Sequence, residues 1–123
     1  MPRHPDSPRR PAEPSPGAAE LLRRLSLNDE RVVRGVLVGA SAGAPALDGK
    51  TDALVRLAGL LASGAPTASC RVAVDVARAA RASDDEIVGV LVAIAPALGA
   101  ARLVAVVPRL ALAIDCDIEE GEE

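Results

Sequence analysis

The chain has 123 residues, half of them hydrophobic, with no Phe, Tyr or Trp and a formal net charge of −3. That length suits one domain with tails. The lack of rings excludes a base-stacking surface, and the negative charge without a basic stripe argues against nucleic acid as a partner. The core has to be built from Leu, Val, Ile and Ala, without the large area a ring would bury. Two cysteines and no apolar leader segment set the expectation of a reducing cytoplasm and free thiols.

Residues 1–17 hold six prolines among Arg, Asp, Glu and Ser, a composition that buries too little to offset ordering entropy, so a disordered tail is expected. His4, the only histidine, lies there, away from any metal or general-base partner. Ala18–Leu27 reads as a first helix, with Leu21, Leu22 and Leu25 opposite Arg23 and Arg24. Asn28 is the expected cap of a second, with Asp29 and Glu30 in its first turn and Val32, Val33, Val36 and Leu37 carrying it to about Ala40. A small-residue loop, Ser41–Ala46, follows. Asp48 or Thr51 starts a third helix whose stripe is Leu54, Leu57, Ala58, Leu60 and Leu61. Ser63-Gly64 stops it and Pro66 opens the next.

The fourth helix runs from Thr67 to a break at Ala82-Ser83, where a Ser-x-x-Glu capping box, Ser83 to Glu86, opens a fifth. The fifth, Asp84 to about Ala95, has no charge after Glu86 and is expected to be buried on several sides. The sixth, about Gly99 to Ile114, is expected to be kinked or divided at Pro108. Ile87–Ile114 is long enough to span a membrane, but Pro96, Gly99 and Pro108 interrupt it, and Arg102 and Arg109 would sit in lipid at a cost of several kcal/mol. Two buried helices fit better. Residues 115–123 form an acidic tail that reads as solvated charge, without the glycine turn of a calcium loop. No β-alternation appears, so the fold class is all-α: a compact bundle of about six helices within residues 18–114. A domain of about 100 ordered residues has little room inside for two uncharged helices, which implies subunit contacts.

Three segments, LDGKTDALVRLAGLLASGAP (47–66), SCRVAVDVARAARASDDEI (69–87) and VGVLVAIAPALGAARLVAVVP (88–108), resemble in order the carboxymuconolactone decarboxylase / alkylhydroperoxidase-D-like family. The upstream run LLRRLSLNDERVV (21–33) resembles the lead-in helices of some members. The resemblance implies an alkylhydroperoxidase-D-like helical domain assembling into homotrimers or homohexamers. It also implies, in the peroxidase branch, a Cys-x-x-Cys pair at the start of the fourth helix, a histidine one turn later and an upstream glutamate. The decarboxylase branch keeps only the histidine. Counting back from the turn that in the family reads Ala-Gly-Ala-Ser/Thr, here Ala80-Arg81-Ala82-Ser83, the histidine position falls at Ala73, the second cysteine at Ser69 and the first at Pro66. A register slipped by one gives Val74, Cys70 and Thr67. The histidine and the pair are missing in both.

Without a base beside it, Cys70 is expected near pKa 8.5 and mostly protonated, a small buried hydrophobe rather than a nucleophile. Cys116, the other thiol, has nothing to bring it to Cys70. The candidate site residues are therefore Cys70, Ser69 and Asp75, none in an intact catalytic set. Gly35–Gly43 lacks the Gly-Lys-Ser/Thr of a phosphate loop, a Ser-His-Asp set is impossible, and two distant cysteines make no zinc site. No cofactor and no metal are expected. The expected function is a family-like helical homo-oligomer that has lost its proton relay and is non-catalytic. The alternative is a weak thiol-dependent hydroperoxide reductase, or a lactone decarboxylase rearranged around Cys70.

Overall fold

The computed structural model describes residues 13–39 and 45–115. These form six α-helices and, among the described residues, no strand. The chain divides into two compact units, Met1–Ala46 and Leu47–Glu123. His4, Cys116 and most of both tails lie outside the described residues.

The first unit holds α1 (Pro16–Ser26) and α2 (Glu30–Leu37), packed on each other. Helix α1 begins two residues before the expected Ala18, because Ser15 caps it through a 3.2 Å bond from Ala18 N–H and Pro16 supplies a pre-set φ. Glu20 accepts from Arg23 and Arg24 at 2.9 and 2.8 Å, and these bonds hold its carboxyl down at about 2. Asn28 is not the cap of α2. It sits at φ 56° and closes α1, with its N–H on Leu25 O and that of Asp29 on Arg24 O. Asp29 takes the capping role, accepting from Arg31 N–H at 3.1 Å. Helix α2 ends at Leu37 rather than near Ala40. No side chain of α1 or α2 is fully buried.

The second unit holds α3 (Gly49–Ala62), α4 (Thr67–Ala79), α5 (Asp84–Leu98) and α6 (Ala100–Ala113). Neighbours around this four-helix arrangement are α3 with α4, α4 with α6, α6 with α5 and α5 with α3. Asp48 caps α3, its carboxylate accepting from Thr51 N–H at 2.7 Å. The capping box of α5 is formed in both directions, Glu86 N–H to Ser83 Oγ at 3.0 Å and Ser83 N–H to Glu86 Oε1 at 3.1 Å. The second oxygen of Glu86 meets Lys50 Nζ at 2.9 Å, tying the start of α5 to that of α3.

Helix α5 continues through Pro96 to Leu98, three residues past its expected end, and α6 passes through Pro108 undivided. Both prolines lie on exposed faces, where a missing backbone N–H leaves its i−4 carbonyl to water rather than to the core. Gly99 separates the two helices at φ 79°, ψ 166°, a conformation essentially confined to glycine.

The core is Ala53, Leu57, Leu61, Cys70, Val74, Ala77, Ala82, Ile87, Val106, Leu110 and Ala113. On α3 it follows an i, i+4, i+8 row, while Leu54, Ala58 and Leu60 of the expected stripe are half-buried. Helix α5 departs from expectation most. Ile87 alone is fully buried; Val90, Leu91, Ile94 and Leu98 reach the core in part, and Val88 and Val92 face outward.

Helix α4 ends in the same two-bond closure as α1, Arg81 N–H on Arg78 O and Ala82 N–H on Ala77 O, which puts Arg81 at φ 71°. A side chain in this region costs about 1–2 kcal/mol, partly offset by the chain entropy a glycine would add. Arg81 is exposed, so Arg81→Gly is expected to raise stability by roughly 0.5–1 kcal/mol. A Tm a few degrees higher in a thermal melt checks this.

Candidate functional site

Cys70 lies in the first turn of α4, which Pro66 opens without a side-chain cap. Its side chain is 0% exposed, with Sγ 3.8 Å from the carbonyl oxygen of Ala65. Arg109 reaches over from α6 and donates to Gly64 O at 2.8 Å and Ala65 O at 3.3 Å. Burial pushes the Cys70 thiol above its ordinary range, and the charge of Arg109 only partly opposes that. The thiol is therefore held more firmly protonated than the unperturbed 8.5 expected for it. With no exposed surface and its thiol in reach of the Ala65 carbonyl, Cys70 is a packing residue.

A groove opens between α3 and α4, one residue away around the helix. Ala53, Arg56, Gly59 and Leu60 form one wall; Ser69, Val72, Ala73 and Val76 form the other, enclosing about 400 Å³. Successive residues on a helix are 100° apart, so the two registers of the resemblance point in different directions. Ser69 and Ala73 line the groove, whereas Cys70 and Val74 are both 0% exposed in the core. Ser69 is half-buried and its hydroxyl is the one nucleophile type in the groove. Asp75 is exposed and lies about 110° around the helix from the centre of that wall. The structure therefore brings none of Cys70, Ser69 and Asp75 together.

Arg56 is the charged group of the groove, and its Nε donates to Asp52 Oδ2 at 2.7 Å one turn earlier. A guanidinium offers planar, fixed donors that suit an anionic group. Arg109 was visible only as a charge in an apolar run; its two carbonyl contacts lie 44 and 45 residues away, beyond any local pattern. Among the described residues no group of three or more His, Cys, Asp or Glu side chains is placed to hold a metal ion. No helix among them is long and apolar enough to cross a membrane. Comparison with protein-family models, with curated proteins and with solved structures finds no match.

Proposed function

We propose that this chain keeps a carboxymuconolactone decarboxylase-like, alkylhydroperoxidase-D-like scaffold without the chemistry of that family, and acts as a non-catalytic cytoplasmic homo-oligomer, a trimer or hexamer. The observation that carries the reading is the enclosure of Cys70, fully buried and pushed toward the protonated form. The groove position next to it offers Ser69 and Ala73 where a relay would need a thiol and an imidazole. Support for the scaffold comes from the turn before α5, where Arg81 holds the left-handed conformation at the place the resembled family fills with glycine. A reaction at Cys70 would need the thiolate, and loss of an acid–base group alone costs about 10²–10⁴ in rate. The groove is left as an apolar volume with one guanidinium, fit to hold a small molecule and not to transform it.

The test is consumption of an organic hydroperoxide with a dithiol reductant, by the protein and by Cys70→Ser side by side. Equal rates at background level are expected. A rate that depends on Cys70 would overturn the proposal in favour of a weak thiol peroxidase.

A further inference from the structure

The outer surface of α5 and α6 has a composition that a free surface rarely has. Beyond Glu86, every exposed side chain of α5 is apolar or absent, and on α6 Arg102 is the one exposed charge. Val92 and Val104, near the middle of each helix, are 69% and 70% exposed. Val88, Val92 and Pro96 on α5 and Val104, Pro108 and Leu112 on α6 follow i, i+4 rows, so each helix carries a continuous exposed stripe, and the two helices are neighbours. Apolar residues exposed singly need no explanation, but a contiguous face of this kind marks an interaction site.

Gly89 adds an independent observation. It stands inside α5, where glycine weakens a helix relative to alanine. A Cβ built on it meets nothing within 4 Å. No close approach within this chain therefore accounts for a glycine at that position. Ala93 continues the small-residue row one turn on, beside exposed Val88 and Val92. A row of this kind lets a second helix come near the lower end of the usual 8–10 Å interaxial distance, with valines packing over small residues.

We infer that the outer face of α5 and α6 is the contact between two copies of this chain, with Gly89 at its point of closest approach. This rests on the oligomeric part of the proposed function and names the surface that makes it. Helices of 15 and 14 residues are about 22 and 21 Å long at 1.5 Å per residue. Side by side they offer roughly 400 Å² in projection, so two copies bury on the order of 1,000 Å², the size at which a contact becomes specific. With Arg102 as its one exposed charge, such a face meets a second copy with little like-charge repulsion. A lipid surface fits less well. The chain has no aromatic residue to anchor at a headgroup layer and a net charge of −3.

Sedimentation velocity on the full chain tests this, with Gly89→Gln and Val92→Glu as variants. Wild type is expected at a multiple of the 12.5 kDa chain mass, and each variant at a smaller multiple, its dissociation constant raised at least 100-fold, with unchanged helical circular dichroism. Gly89→Gln separates association from folding, because glutamine is the better helix former and its Cβ meets no atom of its own chain within 4 Å. Were Gly89 merely a weak point of a lone helix, this variant would melt higher and keep the wild-type mass. That result overturns the assigned interface and leaves the oligomer standing. A wild-type monomer at tens of micromolar overturns both.

Discussion

Leu57→Ala is expected to lower the stability of the α3–α6 unit by about 3–4 kcal/mol, within the range for burying and then deleting a leucine side chain. Leu57 is 0% exposed at the centre of the α3 row. The loss falls in the upper part of the range because the surrounding core is poor in side chains able to move. Four of its members are alanines, Ala53, Ala77, Ala82 and Ala113, which have no side-chain torsion with which to fill a cavity. With no aromatic residue in the chain, no large ring is present to slide into the gap either. Urea denaturation at fixed protein concentration measures the change. A loss under about 1 kcal/mol would mean that the site collapses far more freely than this packing allows.

The second large effect is kinetic and concerns Cys70. In a Cys116→Ser background, which leaves Cys70 as the one thiol, a thiol reagent is expected to label native protein roughly 10³–10⁴-fold more slowly than denatured protein. The reason is that the buried sulfur reacts only after an opening that costs a sizeable part of an unfolding free energy of about 5 kcal/mol or more. Burial acts a second time by keeping the thiol protonated while the chain is closed. Combining this background with Leu57→Ala should accelerate labelling by about 10² or more, the same free energy read as a rate. Fast labelling of the native chain would show Cys70 to be accessible and would reopen the question of its chemistry.

The elements that the sequence revealed correctly are those fixed by neighbours in the chain. Ser63-Gly64 and the Ser83/Glu86 pair act locally and do in the structure what their spacing implies, and of the two starts open for α3, Asp48 and Thr51, it is Asp48 that caps, with Thr51 N–H as its donor. Asn28 and Asp29 show the limit of that logic. Both suit a cap, and the choice depended on which could also take a left-handed turn to finish α1, which asparagine does more readily. Pro96 was read as a stop because a proline removes a helical bond, but on an exposed face the remaining bonds carried the helix on. Cys70 shows how much one residue matters: a shift of one position, 100° of rotation, separates the core from the groove, and no spacing in α4 alone chooses between them. Helix α5 was hardest. Uniform apolarity announces burial without saying which side is buried by its own chain, and only the positions of α3 and α6 supply that direction.

The arginines that close helix ends in the second unit come from other helices. Arg109 of α6 holds the carbonyls after α3, while Arg71 and Arg78 of α4 donate to Leu112 O at 3.0 Å and Ile114 O at 3.2 Å at the end of α6. Helix ends usually fray independently, each losing a turn without consulting the rest of the molecule. Here the last turn of α6 cannot unwind without releasing guanidinium groups anchored 36 and 41 residues earlier, and the end of α3 is bound in the same way to α6. The termini of these helices therefore share the fate of the whole unit. A chain with a small aliphatic interior thereby gains all-or-none behaviour from its periphery, through planar cations that act as clasps between segments remote in sequence.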